Sequence, residues 1–166
     1  MSRLFTREGD AGRTRDFSGR SLAKDDLRIV ISGKIDSLQS ALDLALLTAK
    51  GETKALLHAV QKKLWQSAGE LSRASEACVP WPVTEHDIEA LENFIARLGR
   101  PPGKFVRFKR RQAIQYNECR VRCRELESAC TPLLRAKKLR PAVYRYLNRL
   151  SSLLFMLAYE ETPRKG

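Results

Sequence analysis

Histidine is scarce in this 166-residue chain, with only His58 and His86. Nothing in the sequence orients either of them toward a nucleophile, so a Ser-His-Asp or Cys-His mechanism finds no support. Both read as solvated residues on polar or terminal parts of helices. Cysteine is little better as a source of chemistry. Cys119, Cys123 and Cys130 fall on one helical face and lack the C-x-x-C spacing of common zinc sites. They read as small hydrophobes in an apolar seam, with no metal site expected. The 7 Pro and 9 Gly are too few for a fibrous or low-complexity chain. No apolar run approaches the roughly 20 residues of a membrane span, and the opening Met-Ser-Arg-Leu-Phe-Thr-Arg-Glu does not resemble a signal peptide. The expectation is a soluble, cytoplasmic domain without a membrane partner.

What the sequence does hold is positive charge. Its 31 Lys and Arg face 19 Asp and Glu, for a net charge of +12. Such a surplus points to an anionic partner: nucleic acid, a membrane surface or a polyphosphate. Between Arg100 and Arg149 fifteen basic residues are opposed only by Glu118, Glu125 and Glu127. That excess equals the whole net charge, so the field belongs to the C-terminal half.

Hydrophobic spacing organises the remainder. Ile31, Ile35, Leu38, Leu42 and Ala45 recur at helical intervals, and Gly51 is expected to end that run. Leu57, Val60, Leu64, Ala68 and Leu71 form a second stripe, and Pro80-Trp81-Pro82 breaks the chain. Thr84 reads as an N-cap with Asp87 completing an imperfect capping box ahead of Ile88, Leu91, Ile95 and Leu98. After the basic linker Gly103 to Arg111 comes Tyr116, Cys119, Cys123, Leu126, Cys130 and Leu133. Val143, Leu147, Leu150, Leu154 and Leu157 follow, with Pro141 suited to a first helical turn. No segment sustains strand alternation, and no repeat is visible. The fold class expected is all-α: one domain spanning 1–166, with a five-helix bundle over 27–160 and an N-terminal glycine-containing ligand loop over 1–26.

Two segments carry candidate chemistry. Asn117, Arg120, Arg124 and Glu127 line one flank of the cysteine helix, either as a ligand-facing stripe or as a solvated flank with an Arg124–Glu127 surface pair. Asn148 and Arg149 sit inside a strongly apolar run, which favours the first reading. Thr6-Arg7-Glu8-Gly9-Asp10-Ala11-Gly12-Arg13-Thr14 places two glycines three apart among hydroxyls and cations, as an anion cradle would require. The spacing is not that of a Walker loop. Composition alone leaves a flexible terminus equally open.

In chain order, these segments resemble the PduO-type ATP:cob(I)alamin adenosyltransferases. Thr6 to Thr14 is similar to the family's glycine loop, and Phe17-Ser18-Gly19-Arg20 through Ala23-Lys24-Asp25-Asp26 to the stretch after it. Gly33-Lys34-Ile35-Asp36-Ser37-Leu38-Gln39 resembles G-T-x-D-E-L-N, and Phe105-Val106 the F-x-L-P segment. Arg120 to Glu127 resembles R-x-x-C-R-R-A-E, and Tyr146-Leu147-Asn148-Arg149-Leu150-Ser151 resembles x-L-N-R-L-S. The resemblance implies a homotrimer with sites between subunits, where cob(I)alamin attacks the 5′ carbon of ATP and expels triphosphate, normally with Mg²⁺. It also implies a reductase and an adenosylcobalamin-dependent enzyme as possible partners.

By the same resemblance, Thr6, Arg7, Gly9, Gly12, Thr14 and Lys24 would hold the triphosphate. Arg124, Glu127 and Asn148 would complete the ATP and magnesium site from an adjacent chain. Asp36 and Arg120 would form an interfacial ion pair near the corrin, and Phe105 would crowd the lower face of the cobalt. Several positions depart from the family: Glu125 and Ser128 replace arginines, Ser152 an Asp, Asn117 a His, Arg15-Asp16 a Gly-Leu, and Arg107 to Arg111 a proline-glycine turn. A carboxylate at 125 is unfavourable beside a polyphosphate, with Arg13 or the Lys109–Arg111 cluster as candidates to offset it. Two alternatives follow: a weakened homologue that binds ATP or a corrinoid as sensor, carrier or partner subunit, and nucleic-acid binding by the basic half, which lacks any recognised motif.

Overall fold

The structure, a computed structural model, describes residues 7, 9–16, 19–71 and 80–162. Five helices carry the chain: α1 (Leu27–Leu46), α2 (Gly51–Leu71), α3 (Glu85–Leu98), α4 (Arg111–Arg135) and α5 (Pro141–Glu160). They follow two three-residue strands, β1 (Arg13–Arg15) and β2 (Ser21–Ala23). α5 packs against α4 and α3, and α1 against α4 and α2, giving a spatial order α2-α1-α4-α5-α3.

The expected stripes are the buried ones. Ile31, Ile35, Leu38, Leu42 and Ala45 are buried on α1, and Tyr116, Cys119, Cys123, Leu126 and Cys130 on α4. α5 buries more than one face, adding Tyr146, Leu153, Met156 and Ala158 to the predicted row, as befits a helix clasped from two sides. Each fully buried leucine contributes about 1.5–3 kcal/mol of transfer free energy. Cys123 Sγ donates to the Leu147 carbonyl at 3.3 Å, tying α4 to α5 inside the core. Burial pushes the thiols of Cys119 and Cys130 up to about 12, so these cysteines serve as uncharged packing groups. Cys78 lies outside the described residues.

Three local expectations need correction or refinement. Gly51, expected to end the first helix, instead opens α2 with φ of 53°, a left-handed backbone that glycine adopts without strain. On α3, Phe94 joins Ile88 and Leu91 in the core, while Ile95 and Leu98 are only partly buried. The strands were invisible because three residues cannot display an alternation. The box at α3 is formed: Asp87 Oδ2 accepts from the Thr84 backbone N–H and from its hydroxyl, each at 2.8 Å.

Candidate functional site

The N-terminal segment is a short hairpin. β1 and β2 pair antiparallel with Arg13 opposite Ala23, Thr14 opposite Leu22 and Arg15 opposite Ser21. Gly12 precedes the hairpin at φ of 72°, and its carbonyl accepts from the Lys24 N–H at 2.8 Å. Two tight turns close the preceding residues, from Asp10 N–H to Arg7 O and from Gly12 N–H to Gly9 O. The Lys24 ammonium then lies over Gly9, 3.2 Å from where a Cβ there would stand. Arg7, Gly9, Gly12 and Lys24, predicted as one cradle, are thus brought together, with Thr14 one residue into β1. Arg7 holds φ of 63°, which costs a non-glycine residue about 1–2 kcal/mol. Thr6 lies outside the described residues. Among the described residues the hairpin packs far less against the helices than they pack against one another.

The second half of the predicted site gathers on α4 and α5. Asn148 Nδ2 donates to Glu127 Oε1 at 2.8 Å, and Asn148 Oδ1 accepts from Arg149 at 2.8 Å. The surface pair between Arg124 and Glu127 is therefore not formed. Glu127 turns to α5, and Arg124 stays exposed, without an ion-pair partner among the described residues. Arg120 donates from Nε to Asn117 Oδ1 at 2.9 Å, which fixes its guanidinium. Burial, then the nearby Arg124, pulls the Arg120 pKa below its ordinary value.

Two cavities meet at Arg120. The first, about 590 Å³, is walled by Lys34 of α1 and by Arg120, Arg124, Glu125 and Ser128 of α4. The second, about 560 Å³, is walled by Phe105 and Phe108 of the linker, by Ile114, Asn117 and Arg120 of α4, and by Phe155 of α5. Phe108 and Phe155 meet edge to face, with ring centroids 6.0 Å apart at 72°. Phe105 is 93% exposed, so its ring presents to whatever fills that space. Neither cavity is walled by the hairpin, His58 or His86.

Lys34 and Phe155 are among the wall residues not singled out as site candidates. Lys34 Nζ lies 3.2 Å from Glu125 Oε2 and neutralises the carboxylate that departs from the family pattern. Arg13, expected as a possible offset, is engaged elsewhere: Nε donates to Ser21 Oγ and Nη2 to Ser21 O, each at 3.0 Å. Phe155 escaped because it lies beside the apolar row of α5, two turns after Asn148, within a run where nearly every residue is apolar. Asp36 is exposed on α1 and does not pair with Arg120 within the chain.

Chemically, a cationic cavity beside an aromatic one suits a phosphate-bearing ligand next to a flat apolar one, on an all-α scaffold without a Walker loop. The chain matches the cobalamin adenosyltransferase family over residues 4–161 and belongs to it. A corrinoid adenosyltransferase of Citrobacter freundii is 35% identical over 170 residues, covering 98% of this chain and 97% of the relative. A cobalamin adenosyltransferase of Cupriavidus metallidurans is 37% identical over 161 residues, covering 95% and 87%. A solved structure of a variant PduO-type ATP:corrinoid adenosyltransferase from Lactobacillus reuteri, complexed with cobalamin and ATP, shares the fold. Its TM-score is 0.80 over 94% of this chain and 89% of that one, at 24% identity.

Proposed function

We propose that this chain transfers the 5′-deoxyadenosyl group of ATP to the cobalt of a reduced corrinoid, releasing triphosphate. The observation that carries this reading, beside family membership, is the pair of cavities joined at Arg120. The lone pair of cobalt(I) attacks C5′, the C5′–O bond breaks, and its electron pair leaves with triphosphate. Cobalt, as the alkylated product, ends formally as cobalt(III). The metal of the substrate is the nucleophile, so no protein base is needed.

The chain's own task is to hold a polyanion and to exclude water from the cobalt. Arg124 and Arg120 supply positive charge on one wall, where charge accumulates on the leaving group. Glu125 does not cancel it, because Lys34 is its partner. The turn at Arg7, Gly9, Gly12, Thr14 and Lys24, with Thr6, supplies donors from a neighbouring chain. Support for that arrangement comes from how little the hairpin packs on its own helices. Glu127 has one carboxylate oxygen beyond the one that accepts from Asn148, which fits a magnesium ion carried on ATP phosphates. That ion supplies charge neutralisation to the triphosphate. Phe105 and its aromatic neighbours crowd the lower face of the corrin, and Asp36 meets Arg120 across the interface.

The assembly is a homotrimer. Leu44 on α1, Leu47 just past its end and Ile114 on α4 support it, being 56%, 73% and 49% exposed. The cytoplasm is the compartment; Cys119, Cys123 and Cys130 are free thiols, and no helix among the described residues is long and apolar enough to cross a membrane. A reductase delivers the electron to cobalt, and an adenosylcobalamin-dependent enzyme takes the product.

A second reading rests on Glu125 and Ser128: a weakened homologue that binds without turning over. One assay separates the two. The protein is mixed with ATP and chemically reduced cobalamin while the corrin spectrum is followed, with ATP binding titrated alongside. Conversion to the alkylated spectrum with equimolar triphosphate supports the enzyme. ATP binding without spectral conversion leaves the binder.

A further inference from the structure

The aromatic cavity has a rim that adenosyl transfer does not use. No Asp or Glu occurs between Leu98 and Asn117, a stretch that holds Arg100, Lys104, Arg107, Lys109, Arg110 and Arg111. Lys104 and Arg107 stand in the cavity wall, alternating with Phe105, Val106 and Phe108. All five cations from Lys104 to Arg111 are exposed, and none has an ion-pair partner among the described residues. Several arginines elsewhere are matched. Arg140 meets Glu70 at 2.7 Å and Arg149 meets Glu92 at 2.6 Å, while Arg97 and Arg145 meet Glu52 and Glu85.

Like charges held this close repel one another, and the linker has no carboxylate of its own to relieve them. The cavity itself is apolar along its body. Its complement is a ligand with a flat apolar body and an anionic group at one edge. Corrinoids divide on this point. A complete one such as cobalamin carries a phosphodiester in the tail below the ring, whereas cobinamide ends without it and is one unit more positive. A free dialkyl phosphate has two unesterified oxygens, which suit guanidinium and ammonium donors.

We infer that the Lys104–Arg111 linker is a specificity element that selects corrinoids bearing the tail phosphodiester over tailless ones, with Arg107 and Lys104 as its contacts. The inference rests on the reading that the aromatic cavity receives a corrinoid. Lys109, Arg110 and Arg111 add attraction at longer range, which falls with salt. These residues are positioning and selecting groups; none reaches the reacting atoms.

The test is a binding titration, so that it does not depend on turnover. Cob(II)alamin and cob(II)inamide are titrated separately into the ATP-loaded protein, with the visible spectrum as the readout. The comparison is made for the wild type and for Lys104→Gln combined with Arg107→Gln. Wild-type protein should bind cob(II)alamin about tenfold more tightly, the scale of one charge-assisted hydrogen bond. The double substitution should bring that ratio close to one while leaving the ATP affinity within about twofold. Inorganic phosphate in the tens of millimolar should weaken cob(II)alamin binding and spare cob(II)inamide.

An equal affinity for both corrinoids in the wild type overturns the inference. So does a substitution that weakens both equally, or one that instead weakens ATP, since the cations would then serve the corrin body or the triphosphate. If neither corrinoid binds, the inference falls with the reading beneath it. If both bind with the expected ratio but ATP plus cob(I)alamin gives no alkylated product, the selection stands and the transfer reading falls.

Discussion

The two sides of the bundle treat their arginines differently. Around α2, α3 and α5, Arg97, Arg140, Arg145 and Arg149 each meet a carboxylate from another helix. Along the open edge of α4 and the linker before it, Arg124 and five further cations meet none among the described residues. Paired cations act as local fasteners, mostly exposed and individually worth about 1 kcal/mol or less. Unpaired ones keep their field directed outward, where an anionic ligand supplies the missing charge. Some of this chain's arginines therefore serve the fold, while others are left available to a ligand.

The sharpest way to break that contrast is Arg124→Ala. ATP affinity should fall about a hundredfold, the upper range for one charged contact, while thermal stability stays within about 0.5 kcal/mol. An ATP titration and a melting curve check it; unchanged affinity removes Arg124 from the site. Arg140→Ala should do the reverse. It breaks a two-pronged pair with Glu70 and a bond to the Val83 carbonyl, so stability should drop by about 1–2 kcal/mol. At about 2–4 °C per kcal/mol the melting temperature reports the loss, with ATP affinity unmoved.

Lys34→Ala sits between the two categories, because its partner Glu125 faces the cationic cavity. Uncovering that carboxylate should weaken ATP about threefold, and adding Glu125→Gln should restore most of the loss. Additive effects in that cycle would separate the pair from the site.

The smallest effect concerns acid. Asp26 caps α1, accepting from the Arg28 N–H at 3.0 Å and pairing with its guanidinium at 2.9 Å. The Arg28 side chain, then its backbone N–H, lowers the carboxyl from 3.8 to about 2. A depressed carboxyl stabilises the folded state above its unfolded value, and that support is lost as pH falls toward 2. Wild type and Asp26→Asn should therefore differ by less than about 1 kcal/mol at pH 5 and converge near pH 2 in melting experiments.

The helices were legible because burial imposes a period along one chain segment. Ile31 to Ala45 and Tyr116 to Cys130 mark their inner faces without reference to any neighbour. What crosses between elements was not legible. Arg124 and Glu127 have the spacing of a surface pair, yet Glu127 turns to Asn148, a choice set by how α5 lies against α4. The partnership of Lys34 with Glu125 spans 91 positions and depends on the rotation of α1 about its axis. The residues proposed for a cradle were recognisable in order, but the turns that bring Arg7, Gly9, Gly12 and Lys24 together depended on a hairpin too short to leave a pattern.

Because Arg120 forms part of both cavity walls, the two cavities are not independent of one another, and on the proposed function neither substrate would be indifferent to the other. A shift of that guanidinium on filling one cavity would alter the other, and thermodynamic reciprocity would make the mutual change in affinity equal. Asn117, which accepts from Arg120, would then govern how far that guanidinium can move.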